Sequence, residues 1–285
     1  MSIAIGILLN GLASAMILYI IAVGLSVTMG IMRFINLAHC VFAMAGGYLA
    51  AYLIQGAGIP FAFAIVLAAI LVALLSIPIE RLLYAPLYAA SELEQALFSI
   101  GVMFVAVAIA RYFFGPAPLS FTVPEALRGQ IDLGSVMPAY RILLIVVGFV
   151  VFAALWTLVE TTSIGRKLRA TVENRRVAEV VGIRCDRLML LTFALGTGLA
   201  ALGGALGAEI MPIRPNYAFD QLNYVLIVVA VGGMGTLTGP FLAALLLGIA
   251  DTACKYFLPE VGAFFIFGAM VAILLWRPQG LLGRA

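Results

Sequence analysis

The sequence predicts an all-α, polytopic helical membrane protein: one transmembrane domain over residues 1–285 with about seven to nine spanning helices. Hydrophobic residues make up 65% of the 285 residues and charged residues only 10%, against roughly 45–50% and about 25% in soluble domains. Apolar runs also recur at about the 20-residue length that a helix needs to cross a bilayer. The net charge of +3 is too small to indicate nucleic-acid binding.

The predicted spans follow one another with short polar breaks between them. They are expected at residues 3–29, 37–54, 61–83, 96–114, 141–159, 188–210 and 261–276. No basic residue precedes the first apolar run, so we interpret it as a membrane helix and not as a cleaved signal. Residues 37–54 could instead form a re-entrant element. Residues 84–95 are expected to be a loop, and the proline-rich residues 115–138 must lie at an aqueous face because lipid cannot satisfy irregular backbone.

Residues 222–254 are too long for one span and contain a glycine-rich break from Gly232 to Pro240. We therefore predict two short helices joined at this break. Nine crossings follow if both helices span the membrane, and seven if they form a re-entrant hairpin. A broken helix at membrane depth is tolerated only where it is buried in protein or lines a cavity. Gly232, Gly233 and Gly235 thus either line a solute pathway or form a tight cytoplasmic turn.

A basic segment, residues 161–187, carries seven of the sixteen Lys and Arg residues. If it is cytoplasmic, eleven basic residues, Arg33 and Arg284 among them, fall on that side and five on the other. Lys and Arg resist translocation, so this bias predicts an external N-terminus and a cytoplasmic C-terminus.

The basic segment also has the pattern of a short helix. Thr171 is a candidate N-cap, Glu173 suits a first turn and Gly182 suits a helix end. Val177, Val180 and Val181 would form an apolar patch beside basic residues. Such a helix can dock in a partner's groove or lie on anionic lipid, or the charges can serve topology alone.

A few polar and small residues inside the predicted spans are candidates for function. Asn36 and His39 are three apart, so on a helix they share a face. They either line the entrance of a translocation path or lie at the interface, with Asn36 capping the helix. Gly46 and Gly47 allow close helix approach. Glu209 and Asp251, near the outer ends of their spans, are interpreted as boundary residues.

Features of soluble enzymes do not occur in the sequence. There is no GxxxxGK[ST] phosphate loop and no serine in a GxSxG context, and the single histidine rules out a multi-histidine metal site. The three cysteines have no paired spacing and suit apolar packing. We therefore expect a non-catalytic chain that binds no cofactor and no metal.

Several motifs together resemble the membrane permease subunits of bacterial ABC importers for branched-chain amino acids. They are residues 30–39 (GIMRFINLAH), 42–48 (FAMAGGY), 80–87 (ERLLYAPL), 99–101 (SIG), 165–170 (GRKLRA) with Asn174, Ala178 and residues 182–183, and 232–239 (GGMGTLTG). The resemblance covers nearly the whole chain. Cys40 departs from the usual glycine after the histidine, and Tyr88 stands where arginine is common.

The resemblance implies a translocation subunit in the bacterial inner membrane. Its expected partners are a related second permease or a second copy, two ATP-binding subunits that hold ATP and magnesium, and an external solute-binding protein. Residues of the basic segment, about 162–187, would couple to the ATP-binding subunits; the candidates are Gly165, Arg169, Asn174, Val177, Ala178, Val180 and Gly182. Candidate pathway residues are Asn36, His39, Gly46, Gly47, Gly232, Gly233 and Gly235.

Two alternatives to an importer subunit follow from the residues themselves. A secondary transporter driven by an ion gradient would also be polytopic, but it would carry ionisable residues deep in several spans. A membrane-embedded enzyme would need a clustered acid, base or nucleophile. In this sequence most charges lie at the ends of spans, which favours the importer subunit.

Overall fold

The computed structural model describes residues 2–32, 34–132 and 136–283 of the chain. Its helices are α1 (Ser2–Met32), α2 (His39–Ala51), α3 (Phe61–Ile79), α4 (Glu92–Phe114), α5 (Glu125–Arg128), α6 (Ala139–Thr161), α7 (Ser163–Glu173), α8 (Arg175–Val180), α9 (Cys185–Gly207), α10 (Tyr217–Gly232), α11 (Thr238–Phe257) and α12 (Pro259–Trp276). A π-helical turn over Tyr52–Gly56 extends α2, and another over Glu80–Tyr84 extends α3. Two short strands, β1 (Gln130–Asp132) and β2 (Val136–Pro138), pair antiparallel. The predicted all-α polytopic fold is confirmed.

Local sequence explains where the helices start and stop. Ser91 and Glu94 form a reciprocal capping box at the start of α4, so the predicted loop over residues 84–95 is wrong in its last residues. Proline precedes α3 and α6, where its fixed φ suits entry into a helix. Gly115, with φ of 76°, ends α4 because a left-handed residue cannot continue the helix.

The centre of the bundle is formed by α1 and α9. Both pack on several neighbours, α1 on α6, α9 and α11, and α9 on α1, α2 and α3. They cross at Gly24 and Gly196, where a Cβ on Gly196 would lie 2.9 Å from the Gly24 carbonyl oxygen. Without a hydrophobic driving force between helices in lipid, this close approach supplies the dispersion contacts that hold the pair together. By contrast, α4 and α6 are mostly exposed along their lengths.

Hydrogen bonds between distant parts of the chain define the two ends of the bundle. At one end, Leu119 pairs with Ile213 through both backbone hydrogen bonds, and Gln55 Nε2 donates to Ser120 O at 2.7 Å. At the other end, Ser26 Oγ donates to Thr236 O at 3.0 Å. This second end also holds α7, α8 and most of the described basic residues, and we call it the basic end. The first is the opposite end.

Nine helices of the described ranges lie along the bundle: eight run between the two ends, and α2 starts inside the bundle and runs with its extension to the opposite end. Six are long and apolar enough to span a bilayer, namely α1, α3 with its extension, α4, α6, α9 and α11. Shorter apolar helices are α10 and, over residues 264–276, α12; the ninth is α2 with its extension. The predicted break within residues 222–254 therefore separates two helices that each run from end to end. Arg33 and Arg284, which enter the charge count, lie outside the described residues.

Candidate functional site

The basic segment folds into two helices, α7 and α8, and not into the single helix that the sequence suggested. The helix caps are Thr162, whose hydroxyl accepts from Gly165 N, and Asn174, whose Oδ1 accepts from Val177 N at 3.2 Å. The prediction that Thr171 is the cap is therefore wrong. Thr171 lies buried inside α7, and its hydroxyl donates to Lys167 O at 2.9 Å. Glu173 is the last residue of α7, not part of a first turn.

A short sharp connection anchors α7 to the end of α6. A Cβ on Gly165 would overlap the backbone of Val159, so only glycine permits this approach. Arg169 Nη1 donates at 3.0 Å both to Val159 O and to Glu160 Oε2. Leu168 is buried beside this connection. The position of α7 is thus fixed by its own N-terminal half.

Arg175 makes one contact within α8 and two that tie α8 to α9. Its Nε donates to Glu179 Oε1 at 2.9 Å, its Nη2 to Asp186 Oδ1 at 2.6 Å, and its Nη1 approaches Met189 Sδ at 3.6 Å. The hydrogen bond to Glu179 raises the pKa of the Arg175 guanidinium. The guanidinium therefore stays charged at any physiological pH.

The outer face of α8 is apolar and open to solvent. Val177, Val180 and Val181 have exposed fractions of 58%, 87% and 69%. Arg176 and Arg184, both exposed, flank them. At the end of α8, Gly182 has φ of 85° and Ile183 N donates back to Ala178 O at 3.0 Å, as in a glycine-terminated helix. The predicted valine patch and the predicted helix end at Gly182 both match the structure.

The seven candidate coupling residues divide into two groups by position. Five serve the internal structure of the segment: Gly165, Arg169, Asn174, Ala178 and Gly182. The other two, Val177 and Val180, present their side chains outward. A cavity of about 450 Å³ lies beside α8, between the end of the α3 extension and the start of α9. Tyr88, which lines it, donates a hydrogen bond to the Glu80 carboxylate.

Residues 34–38, between α1 and α2, form an irregular segment that ends in a turn; Asn36 lies in it and His39 follows it. His39 Nε2 lies 3.1 Å from Ile21 O, eleven residues before the end of α1, roughly 16 Å along the helix axis. The chain thus returns into the bundle before α2 begins. The N-cap position of α2 is Ala38, so Asn36 does not cap it. Both side chains are buried, and Asn36 Oδ1 accepts from Tyr84 Oη at 3.3 Å.

Two polar side chains of α4 hold this irregular segment, and neither was predicted to do so: Ser99 entered only as part of the 99–101 motif, and Gln95 was expected in a loop. Ile35 N donates to Gln95 Oε1 at 3.1 Å, and Leu37 N donates to Ser99 Oγ at 3.2 Å. Irregular backbone at membrane depth needs such partners, because lipid offers none. The available signal was spacing: Gln95 and Ser99 are four apart in α4 and so share one face.

The glycine candidates fall into two separate places. Gly46 packs on Ala201 and Gly47 on Ile213, where any Cβ would overlap α9 or the residues that follow it. Gly232, Gly233 and Gly235 form the turn between α10 and α11 at the basic end. There Gly235 contacts Gly30 of α1, and Leu282 N donates to Gly232 O at 3.2 Å. The described side-chain hydrogen bonds of Asn36 and His39 go to Tyr84 and Ile21 and not to either glycine group, and their role in a pathway stays a prediction.

Comparison with known proteins gives one family match over nearly the whole chain. The family described as "Branched-chain amino acid transport system / permease component" matches residues 7–274. The permease protein BraD of the high-affinity branched-chain amino acid transport system of Pseudomonas aeruginosa is 29% identical, with 97% of this chain and 95% of BraD covered. The permease protein LivM of the corresponding Escherichia coli system is 31% identical over 121 residues, which cover 42% of this chain and 28% of LivM.

A solved structure shares the fold. PsaBC from Streptococcus pneumoniae, in complex with Fab, superposes with a TM-score of 0.51 over 96% of this chain and 91% of the matched chain. Its sequence identity is 14%, so the likeness concerns the arrangement of helices alone.

Proposed function

The chain belongs to the family of branched-chain amino acid transport system permease components, and from that premise we propose that it couples solute import to ATP hydrolysis in separate subunits. The solutes would be branched-chain amino acids or related small polar molecules. The observation that carries the proposal is the face of α8: Val177 and Val180 are turned to solvent on a helix whose orientation Arg175 fixes.

Coupling requires a contact through which force reaches the spanning helices. The sequence has no phosphate loop, so hydrolysis would take place in partner chains that hold ATP and magnesium. Burying a valine-sized side chain in a partner's groove contributes about 1.5–3 kcal/mol. Exposed ion pairs made by Arg176 or Arg184 would add about 0–1 kcal/mol each and mainly orient the docking. Apolar insertion by α8 would thus dominate the affinity.

The connection from α8 to the bundle is direct. α7 packs on α1 and α6, and α8 is tied to α9 by Arg175. Since α1 and α9 form the centre of the bundle, a displacement of α8 would reach both central helices. A partner that moved α8 would therefore act mechanically on the helices around the solute pathway. Our candidates for residues of that pathway remain Asn36, His39, Gly46, Gly47, Gly232, Gly233 and Gly235.

The proposed assembly contains two permeases, two ATP-binding subunits and an external solute-binding protein. The similarity of the chain to both BraD and LivM supports a pair of related permeases, although a second copy of this chain would give the same architecture. The basic end, with α8, would face the cytoplasm of a bacterial cell across its inner membrane. This orientation follows from the bias of basic residues.

The test is purification of the tagged chain with its genomic neighbours, followed by reconstitution into proteoliposomes. We expect ATP-binding subunits to copurify, and leucine uptake to require ATP and to persist with a protonophore present. Uptake that ran without ATP and collapsed with the proton gradient would identify a secondary transporter and overturn the proposal.

A further inference from the structure

At the opposite end of the bundle, a cavity of about 790 Å³ lies between α1, α10, α11 and α12. This volume falls within the roughly 300–1,000 Å³ of small-molecule sites in proteins. Under the proposed orientation its mouth faces the outside, from which an imported solute arrives. The cavity is separate from α8, from the Asn36 segment and from the turn at Gly232.

Two oppositely charged pairs line the cavity. Lys255 Nζ lies 2.6 Å from Asp251 Oδ2 within α11, and Arg214 Nη2 lies 2.9 Å from Asp220 Oδ2 at the start of α10. Lys255 also stands 5.8 Å from the ring centroid of Tyr224. The Asp251 side chain is only 15% exposed, although it lies about 9 Å, six residues, inside the end of α11. An ionisable residue placed inside a membrane helix and facing a cavity commonly marks a solute pathway.

The remaining wall combines apolar side chains with polar ones, among them Ser14, Gln221 and Asn223. Ile17, Leu18 and Phe267 line it together with Gln221, whose Nε2 donates to Met211 Sδ at 3.1 Å. Thioether sulfur is a weak acceptor. A carboxylate oxygen of a bound solute that replaced Met211 Sδ would therefore accept a stronger hydrogen bond from Gln221 Nε2.

We propose that this cavity binds small zwitterionic α-amino acids with apolar side chains. The cavity is lined by two cations and two anions, so its charges balance. A ligand with a net charge would meet a residue of like charge without a compensating partner, whereas a zwitterion has one group for the anions and one for the cations. The solute ammonium pairs with Asp251 or Asp220, the solute carboxylate with Lys255 or Arg214, and the side chain packs on Ile17 and Phe267. The inference rests on the proposed function and locates its outward-facing solute site.

The same chemistry, an ammonium and an acid group on one molecule, also occurs in a phosphatidylethanolamine headgroup. The two sources differ in how they can be displaced: a free amino acid competes with soluble leucine, whereas the lipid responds to the headgroup composition of the vesicle. We assign the cavity to the free amino acid because its lining includes loop residues 210–214 and the first turns of α10, at the aqueous end of the bundle.

A direct test is protection of a cysteine placed in the cavity. Thr252 lines the cavity and is partly exposed, so Thr252→Cys in a Cys254→Ala background, within the intact importer complex, reports occupancy. We expect millimolar leucine to slow alkylation by about threefold or more, which corresponds to at least two-thirds occupancy. Leucinamide and 4-methylpentanoate, each lacking one charge, should not protect. Equal rates with and without leucine, or equal protection by all three, would overturn the inference, as would protection that required phosphatidylethanolamine and not leucine.

A transport measurement separates this inference from the proposed function. The double variant Asp251→Asn with Lys255→Met removes both charges of one pair and leaves no unpaired charge. We expect leucine uptake to fall about tenfold, the loss of roughly one charge-assisted contact, while copurification of the ATP-binding subunits persists. Glu260→Gln, an exposed carboxylate of α12 at the same end, is the matched control and should transport normally. Normal uptake by the double variant would refute the proposed solute site but not the proposed function. Absence of uptake by the wild-type complex would instead refute the function.

Discussion

Gln95, on α4, accepts a hydrogen bond from the backbone N–H of Ile35 at 3.1 Å, sixty residues away in the chain. The same side chain donates through Nε2 to Leu87 O and Ala90 O, each at 3.2 Å. One amide thus joins the irregular segment before α2 to the turn before α4. Gln95 is buried, so the Ile35 N–H that it accepts from depends on this side chain for its hydrogen bond.

Replacement of Gln95 by Met, which keeps the size of the side chain, should destabilise the protein. It leaves the Ile35 N–H and the Ala90 carbonyl without this partner, whereas Leu87 O keeps its hydrogen bond from Ala90 N at 3.0 Å. Each buried group left unsatisfied costs about 1–3 kcal/mol. Thermal unfolding in detergent should show a clear fall in Tm. Gly101→Ala on the same helix is the control: no atom lies within 4 Å of its added Cβ, so its Tm should stay level or rise. An unchanged Tm for Gln95→Met would contradict the proposed role of the amide.

Introduction of a side chain at the crossing of α1 and α9 should separate the two central helices. A Cβ on Gly24 would overlap the Gly196 carbonyl and approach His39 Nε2 to 3.0 Å. We expect Gly24→Val to cost about 1–3 kcal/mol through overpacking, and the yield of folded monodisperse protein on size exclusion to drop. Gly268→Val on α12 adds the same side chain where no atom lies within 4 Å, and it should leave the yield unchanged.

Charges placed on the outer face of α8 should release the ATP-binding subunits while the chain itself stays folded. Val177→Asp with Val180→Asp removes two apolar contacts of about 1.5–3 kcal/mol each from the proposed interface. Both side chains are exposed in the isolated chain, so the Tm of the purified permease should not change. The measurement is copurification together with leucine-stimulated ATPase activity. Val136→Asp, 62% exposed at the opposite end, is the control and should keep both. If the double variant kept full leucine-stimulated ATPase activity, the basic residues of α7 and α8 would serve only to set the membrane topology.

Labelling of single cysteines should establish which end of the bundle faces the cytoplasm. Thr171 is buried, so the suitable position at the basic end is Val180, 87% exposed, and at the opposite end Ser120, also exposed. In a background without native cysteines, an impermeant maleimide applied to intact spheroplasts should modify Ser120→Cys and spare Val180→Cys until the cells are lysed. The reverse pattern would invert the orientation that the basic residues predict.

The role of the Gly232–Gly239 turn can be tested apart from that of the bundle. Gly233 has φ of 96°, and a Cβ there would lie 2.5 Å from Gly283 N, so Gly233→Leu strains both the turn and the tail that packs on it. If the turn lines the pathway, uptake should be lost while assembly with the ATP-binding subunits persists. Loss of uptake and assembly together would indicate a turn that only closes the basic end.

The class of the protein and the order of its helices were predictable from the sequence alone. Every lipid-spanning segment must satisfy its own backbone within about 20 residues, so the constraint is local and leaves a local signal. The break at Gly232, the exposed valines of α8 and the helix end at Gly182 were predictable for the same reason. Each of these features depends on residues within one turn of itself.

Only the tertiary structure decided which distant residues meet. Thr171 had the right chemistry for a helix cap, but Thr162 and Asn174 took that role because the end of α6 fixes where α7 starts. Asp251 was interpreted as a boundary residue, yet α1, α10 and α12 surround it with a cavity. Gln95 meets Ile35 only because α4 lies against the segment that re-enters the bundle. Helix packing in a membrane depends on close fit between whole surfaces, and hydropathy along the chain does not record that fit.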